Sequence, residues 1–505
     1  MTVTDTSAYE TLRSKLREAA VFASVTSVLS WDQETYMPAG GGEARAEQMA
    51  AMAGLVHERK TASELADLIA QAADEVGSDD VAAVNVARMQ RDFDRETKLP
   101  SKLVANIART SSIAQDAWKA ARASNDFAAF KPHLEKMLEL TRQKAECWGT
   151  PDDGELYDAL LDEYEPNARA TEIEAVFGPL GNQLSELVAE LMDAPNPPSL
   201  EPFKRPVAIS AQAELGRHVL SAFGFDLNTG RLDVTAHPFC QDVGPGDTRL
   251  TTRYTEAGVG DALFSTMHEG GHGLYEQNLP KAERFGEPLG QSISLGIHES
   301  QSRFWENIVG RSAEFWRWLT PTVKDLFGDG YAHTTADELY RAANVVERSY
   351  IRVESDEATY NLHVMLRFEL ERALVSGELS VADLPGAWNE RFERLLGVPV
   401  PDDARGCLQD VHWSFGLIGY FPTYTLGNLY AAQFTEAMEA ELGQLGPRIE
   451  RGEFGPIREW LTDNIYSQGR RYEAGELCER ITGKALSDEP LMRYLRGKLR
   501  PVYGL

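Results

Sequence analysis

Cysteine is scarce in this chain, and long apolar runs are missing from it. The four cysteines, Cys147, Cys240, Cys407 and Cys478, form no C-x-x-C pair. They predict reduced, mostly buried thiols rather than a disulfide framework or a cysteine-rich zinc site. No run approaches the ~18 apolar residues of a spanning helix, and the N-terminus carries no basic-then-apolar signal. A cytoplasmic location is therefore the default expectation.

Positive charge is in deficit. Lys and Arg together number 50 against 78 Asp and Glu, which gives a net charge of −28. Such a balance opposes binding to nucleic acid and to anionic membranes, so we expect neither as a partner. The 505 residues permit one large or two to three ordinary domains, and the 43% of hydrophobic residues are enough for a sizeable core.

Helical periodicity dominates the chain between short breaks rich in Gly, Pro, Asp or Asn. From Arg231 to Tyr254 the pattern changes to alternating Thr, Val and Leu around a Gly-Pro-Gly turn at 244–246, which predicts a short hairpin or small sheet. The sequence therefore predicts an all-α, predominantly helical fold with one small β-sheet.

The clearest linker-like break is the segment from Asp193 to Pro198. It separates an N-terminal helical section, 1–195, from a section, 196–505, that holds every candidate site residue named below. Because no repeat or low-complexity tract interrupts the chain, we expect one catalytic unit spanning residues 1–505.

His268-Glu269-Gly270-Gly271-His272 is an H-E-x-x-H pentad in a segment that otherwise predicts a helix. Imidazoles at i and i+4 share one helical face, about 6 Å apart along the axis, which suits one Zn²⁺ ion. Glu269 can face the water that such an ion activates and act as a general base. The pentad predicts metal-assisted amide hydrolysis, and its glycines indicate the close approach of a substrate or a packed helix.

A third ligand is needed to complete a catalytic zinc site. The metzincin pattern is excluded because its Gly and His positions hold Tyr275 and Asn278. A downstream acidic residue is the alternative, and a second predicted helix offers Glu299 directly after His298, with Glu306 further on. Spacing alone leaves His298, Glu299 and Glu306 open.

Further motifs lie along nearly the whole chain: LSWDQETYMP (29–38), HPF (237–239), DTRLT (247–251), HESQ (298–301), IRVESD (351–356), GCLQDVHW (406–413) and GYFPTY (419–424). Together with the pentad, and in this order, they resemble the thermostable carboxypeptidase Taq family of metallocarboxypeptidases. The helical fold of that family is shared with neurolysin and angiotensin-converting enzyme. Ser355 is the one departure, since Ala is expected there.

The resemblance implies two helical halves around a deep substrate channel. It implies His268, His272 and Glu299 as metal ligands and Glu269 as the base, with one Zn²⁺ per chain; Co²⁺ and Mn²⁺ suit the same ligands. It also implies a homodimer that removes single amino acids from peptide C-termini with broad specificity.

Amide hydrolysis needs hydrogen-bond donors where the oxyanion develops. His412 and Tyr420 take this role by analogy with the related helical metalloproteases, and Tyr424 is a further candidate. The alternative is an aromatic core stripe whose hydroxyls only find partners.

A carboxypeptidase must also hold a free carboxylate, for which a guanidinium offers a bidentate fork. Arg352 is the first candidate and Arg348 the second. Alternatively, both arginines form ion pairs at the surface, on a charged helix that we expect from Glu347 to Glu357.

The predicted hairpin carries three more candidates for substrate binding, His237, Asp247 and Arg249. An edge strand beside a metal binds extended peptides by strand addition, and we expect this role for the hairpin. Asp247 and Arg249 alternatively pair with each other and hold the turn.

Two rival functions remain at this stage. A non-catalytic helical scaffold with a structural metal is disfavoured, because structural zinc usually has four ligands rich in Cys, whereas three candidates without Cys are present here. An oligoendopeptidase or a dipeptidyl carboxypeptidase uses the same pentad and differs only in how the substrate ends are held.

Overall fold

The structure is a computed structural model that describes residues 7–77, 79–256 and 258–505. These residues form 23 α-helices and one three-stranded sheet. The prediction of a predominantly helical fold with one small sheet is therefore confirmed. Within the described ranges, no helix is both long enough and apolar enough to cross a membrane.

Ten helices precede the sheet: α1 Ala8–Thr35, α2 Gly42–Lys60, α3 Ser63–Val76, α4 Asp80–Thr97, α5 Ser101–Ser124, α6 Phe127–Trp148, α7 Leu156–Leu161, α8 Ala170–Met192, α9 Glu201–Lys204 and α10 Ile209–Phe223. The strands are β1 Gly230–Val234, β2 Cys240–Gly244 and β3 Asp247–Thr252.

Thirteen helices follow the sheet: α11 Gly260–Asn278, α12 Lys281–Arg284, α13 Leu295–Arg303, α14 Ala313–Phe327, α15 Ala336–Ala343, α16 Glu357–Ser376, α17 Leu384–Leu396, α18 His412–Phe415, α19 Pro422–Leu442, α20 Gly446–Glu450, α21 Gly455–Asn464, α22 Ala474–Thr482 and α23 Glu489–Tyr503. A π-helical turn, Phe304–Val309, continues α13.

The sheet has the order β1-β3-β2. Strands β2 and β3 form the predicted hairpin, with Gln241 opposite Arg249, and β1 joins β3 in parallel, with Leu232 opposite Leu250. The turn requires left-handed backbone at Gly246, where φ is +81°. The sheet packs on α11, and a Cβ placed at Gly273 of that helix would lie 2.7 Å from Cδ2 of Leu250.

The main hydrophobic core runs from α5 to the C-terminal helix and includes side chains on both sides of the 193–198 break. A smaller core joins α1, α3 and α4 through Leu12, Leu65 and Met89. The section boundary near residue 195 stays a prediction.

A cavity of about 710 Å³ lies between the N-terminal helices and the start of α13, lined by Phe93, Ile107, Trp148, Tyr164 and Leu295 among others. The ring of Tyr164 lies 5.2 Å from that of Tyr420. The cavity therefore reaches the aromatic group that the sequence singles out.

The prediction of a helix from Glu347 to Glu357 is wrong. Helix α15 ends at Ala343, and only the short 3-10 turn Arg352–Glu354 precedes α16. Local hydrogen bonds compete with a continuous helix here: the Ser349 hydroxyl accepts from the amide of Ile351, and the Asp356 carboxylate caps α16 by accepting from Ala358 and Thr359.

Candidate metal centre

Helices α11 and α13 carry the candidate metal ligands and pack closely. A Cβ placed at Gly271 would lie 2.6 Å from Cα of Ser302, so only glycine permits this approach. On the other side of α13, a Cβ at Gly427 of α19 would lie 2.5 Å from Cγ of Glu299. The pentad glycines indicate the close approach of a substrate or of a packed helix, and Gly271 makes room for a packed helix.

The side chains of His268, His272 and Glu299 converge. Their ligand atoms all lie within 4.8 Å of one another, and Oε2 of Glu299 is 3.6 Å from Nε2 of His268 and 3.3 Å from Nε2 of His272. Metal–ligand bonds of ~2.0–2.1 Å at tetrahedral angles place ligand atoms about 3.3 Å apart. The three side chains therefore fit one divalent ion, with room for substrate or water in a fourth position.

The other two ligand candidates lie behind the histidines. Oε2 of Glu306, on the π-helical turn, is 2.9 Å from Nδ1 of His268, and Nδ1 of His298 is 2.5 Å from Nδ1 of His272. Both Nε2 atoms are thereby left to face Glu299. Such partners fix the ring orientation of metal-binding histidines and tune their basicity.

A buried polar chain continues from His298, and sequence analysis missed it. Nε2 of His298 is 2.7 Å from Oε1 of Glu276. The other oxygen of Glu276 pairs with the Lys281 ammonium. That ammonium also lies 2.7 Å from Oδ1 of Asp242 on β2. Glu276 follows His272 by one helical turn, so this spacing was the available signal.

The pKa values of the site are shifted in different directions. Burial opposes the charged form of His268, but the carboxylates of Glu299 and Glu306 outweigh burial and raise its pKa. Burial and the neighbouring His298 lower the pKa of His272 to about 4, which keeps its imidazole neutral and able to bind a cation. Burial raises the pKa of Glu269 to about 7; nearby His268 opposes the shift, and Glu299 and Glu306 add to it. Within the described ranges, Glu269 is 6% exposed and has no hydrogen-bonded partner. Its carboxyl group is therefore poised to exchange protons near neutral pH.

The proposed oxyanion donors form one aromatic group. Nε2 of His412 lies 3.3 Å from the Tyr424 hydroxyl, and the rings of Tyr420 and Tyr424 are 5.4 Å apart. Burial and the positive charge of Arg352 lower the pKa of His412 to about 3, so the ring is a neutral N–H donor. Burial, then the carboxylate of Glu299, raise the pKa of Tyr420 to about 12, which keeps its hydroxyl protonated.

Arg352 lies in a second buried cluster. Its Nε and Nη2 donate to Oδ1 of Asp410 at 3.1 and 2.9 Å, and Arg367 donates through Nε to Oδ2 of the same carboxylate at 2.6 Å. Two guanidinium groups thus share one carboxylate, which leaves an excess of positive charge. Arg352 is only 4% exposed, so the alternative of a surface ion pair is wrong for this residue.

Tyr360 joins the two clusters. Its hydroxyl accepts a hydrogen bond from Nη1 of Arg352 at 2.8 Å, and its ring lies 4.3 Å from the guanidinium carbon of Arg303. Arg303 in turn donates to Oε1 of Glu299 at 2.6 Å. The candidate carboxylate anchor and the metal-ligand cluster are therefore parts of one continuous site.

A family model of the carboxypeptidase Taq (M32) metallopeptidases matches residues 11–499. The chain belongs to this family. The M32 chain is 45% identical to thermostable carboxypeptidase 1 of Thermus thermophilus, over 99% of its length and 100% of that protein. It is 35% identical to carboxypeptidase 1 of Bacillus subtilis, over 97% of each chain.

Solved structures agree with this assignment. The M32 carboxypeptidase from Deinococcus radiodurans R1 superposes with a TM-score of 0.95 at 41% identity, over 99% of this chain and 100% of that one. The M32 chain is thus a metal-dependent carboxypeptidase, a peptide hydrolase that uses a catalytic metal. The non-catalytic scaffold is set aside.

The remaining candidates of the M32 chain lie elsewhere in the fold. Arg348 sits beside the end of α17, where a Cβ placed at Gly397 would lie 3.4 Å from its guanidinium carbon. His237 is exposed in the bend between β1 and β2. Asp247 and Arg249 pair through two contacts of 2.8 and 2.7 Å, which confirms the structural alternative for them.

Proposed function

We propose that this metallocarboxypeptidase removes single amino acids from free peptide C-termini with broad specificity. One Zn²⁺ per chain is held by His268, His272 and Glu299. The observation that carries the proposal is the convergence of the Nε2 atoms of two imidazoles on one carboxylate, beside a buried Glu269 that has no hydrogen-bonded partner among the described residues. A bound divalent ion supplies Lewis-acid activation of water and of the scissile carbonyl.

The protein groups carry the proton transfers. Glu269 accepts a proton from the attacking water as the new C–O bond forms, and it delivers that proton to the amine nitrogen as the C–N bond breaks. His412 and Tyr420 donate hydrogen bonds to the oxyanion that develops on the former carbonyl oxygen, with Tyr424 behind them. The neutral imidazole and protonated phenol described above support these donor roles.

Arg352 binds the terminal carboxylate in this proposal. The support is the unbalanced positive charge of Arg352 and Arg367 around Asp410, since a buried charge is costly without a counterion. A substrate carboxylate supplies that counterion. The contacts of Tyr360 with Arg352 and Arg303 support a carboxylate site next to the metal-ligand cluster, as removal of a single residue requires.

The hairpin of β2 and β3 lies against α11 and is proposed to bind the substrate backbone by strand addition. Among the described strands, β2 is one of the two edge strands of the sheet, the other being β1, and an edge position is what strand addition requires. We assign His237, which is exposed in the bend before β2, to substrate binding beside this hairpin. Asp247 and Arg249 contribute by holding the turn.

The finer identity of the enzyme is also part of the proposal. Zinc is favoured by two imidazoles with one carboxylate, although Co²⁺ and Mn²⁺ suit the same donors. We propose a homodimer, as the family resemblance implies, and a cytoplasmic location, which four unpaired cysteines support. Metal analysis and sedimentation equilibrium of the purified protein test the metal and the dimer.

The experiment that tests the reaction uses a ladder of free and C-terminally amidated peptides. The purified enzyme is assayed as isolated, after chelation, and after readdition of one equivalent of Zn²⁺. We expect stepwise loss of one residue from free peptides only, abolished by chelation and restored by zinc. Internal cleavage of amidated peptides identifies an oligoendopeptidase instead, and release of dipeptides identifies a dipeptidyl carboxypeptidase.

A further inference from the structure

Glu371 of α16 is a fully buried carboxylate that the reaction described above does not use. It is 0% exposed, and within the described ranges no Lys or Arg nitrogen pairs with it. Its partners are three neutral donors: the indole Nε1 of Trp413 at 2.8 Å, the backbone amide of Gly419 at 3.0 Å and the Tyr157 hydroxyl at 2.8 Å. A fully buried carboxyl group is costly even where neutral donors bind it, so its presence calls for another explanation.

The positions of two donors supply that explanation. Trp413 directly follows His412, and Gly419 directly precedes Tyr420, so the carboxylate binds both ends of the segment that carries the two oxyanion donors. Trp413 donates to one carboxylate oxygen and Gly419 to the other.

The rest of the segment is held from the same helix and from α7. Arg367, one turn before Glu371 on α16, binds Asp410, two residues before His412. Gly419 has a φ of +92°, and a Cβ placed there would lie 2.9 Å from the backbone of Leu160 on α7. The segment from residue 410 to residue 420 therefore rests on α16 through two charged side chains and on α7 through direct backbone contact.

We propose that Glu371 is a positioning residue that fixes His412 and Tyr420 relative to each other, by accepting hydrogen bonds from Trp413 and Gly419. This inference rests on the donor roles given to His412 and Tyr420 in the proposed function. Preorganised donors stabilise a developing oxyanion only when they are held in place before the reaction. Loosening either tie should therefore raise the barrier of the chemical step while leaving substrate binding intact.

The test compares two changes at the same carboxylate. Glu371→Gln keeps the side-chain shape but replaces one accepting oxygen with an amide group that cannot accept, so one tie to the segment is lost. Tyr157→Phe removes a hydrogen bond of the same 2.8 Å length from the same carboxylate, but its donor lies on α7, outside the segment. Trp413→Phe, which removes the hydrogen bond beside His412 and keeps the one from Gly419, serves if Glu371→Gln does not fold.

We expect Glu371→Gln and Trp413→Phe to lower kcat by ~10–10²-fold with KM within about threefold and metal content unchanged. Tyr157→Phe should keep kcat within about twofold of the parent value, even if its Tm falls as far as that of Glu371→Gln. A tetrahedral phosphinate peptide should lose affinity for Glu371→Gln in proportion to kcat/KM, because it mimics the transition state. Equal losses of kcat in Glu371→Gln and Tyr157→Phe, or an unchanged kcat in folded Glu371→Gln, would overturn the proposal.

A double variant separates this inference from the proposed function. If Glu371 acts through Tyr420 and His412, adding Glu371→Gln to Tyr420→Phe should cost less than it does in the parent enzyme. Fully multiplicative losses overturn the positioning role while the donor role of Tyr420 stands. A parent-like kcat in Tyr420→Phe itself overturns the donor role.

Discussion

The site contains two buried charge clusters with opposite excess. Around the candidate metal ligands, the three carboxylates of Glu269, Glu299 and Glu306 outnumber the two arginines that pair with them among the described residues, so the cluster suits a cation. Around Asp410, two guanidinium groups share one carboxylate, so that cluster suits an anion. This difference in charge supports the proposed function, in which the first cluster binds a metal ion and the second binds the free carboxylate of the substrate.

The largest expected effects come from the cation-binding cluster. Glu299→Ala should lose metal and activity together, because one of three ligands is removed. Glu269→Gln should keep the metal and lower kcat by ~10²–10⁴-fold, because only the base is lost. Metal content after dialysis and steady-state kinetics check both variants. Stoichiometric zinc in dialysed Glu299→Ala, or near-parent turnover in Glu269→Gln, contradicts the assigned roles.

The candidate oxyanion donors are tested next by Tyr420→Phe. Removal of the hydroxyl should lower kcat by ~10²–10³-fold with little change in KM, since the donor is used mainly in the transition state. Initial rates over a range of peptide concentrations separate the two constants. A rise in KM alone would mean that Tyr420 binds the ground state instead.

A smaller effect is expected from a change in the packing around the candidate metal ligand Glu299. Gly427→Ala introduces a methyl group 2.5 Å from Cγ of Glu299, so we expect the ligand to shift and metal affinity to fall by ~10–100-fold. Gly497→Ala on α23 is the matched control, because nothing lies within 4 Å of its added Cβ. Competition with a chelator measures both affinities. Equal affinity in the two variants would show that Glu299 tolerates displacement.

An effect on stability rather than on activity is expected outside both clusters, at buried Glu165 beside the start of α13. Burial raises its pKa to about 7, against opposing hydrogen bonds from Ser294 and Gly296. Between an unfolded pKa near 4.3 and this value, the folded state holds a proton that the unfolded state releases, so stability falls as pH rises.

Glu165→Gln removes this dependence. Its free energy of unfolding relative to the parent should therefore rise between pH 4.5 and 7, by on the order of 3 kcal/mol, and then level off. Denaturant titrations at several pH values measure the difference. A flat difference across that range rules out the raised pKa.

Local sequence was enough for the parts of the site that depend on local structure. The spacing of His268 and His272 predicts a helix with both rings on one face, and α11 provides it. The turn at Gly244–Gly246 predicts the hairpin of β2 and β3 in the same way. The small fold features near the metal were therefore predictable.

Contacts between distant segments were beyond that reasoning. The choice among His298, Glu299 and Glu306 depends on how α13 and its π-helical turn face α11, which residue spacing does not encode. Glu371 lies 42 residues before Trp413 in the sequence, and no motif around Glu371 indicates this contact. The helix predicted around Arg352 failed because Ser349 and Asp356 bond to nearby backbone instead.

The assignment of the anion-binding cluster is tested most directly by Arg352→Ala, with Arg348→Ala beside it, on paired free and amidated peptides. Charge-assisted hydrogen bonds contribute ~1.5–3 kcal/mol, so kcat/KM for free peptides should fall by ~10–150-fold in Arg352→Ala. Amidated peptides should be poor substrates of the parent and lose little more. Mass spectrometry identifies the products of each reaction and their amounts. Equal cleavage of free and amidated peptides by the parent, or a loss of the preference in Arg348→Ala but not in Arg352→Ala, would contradict this account.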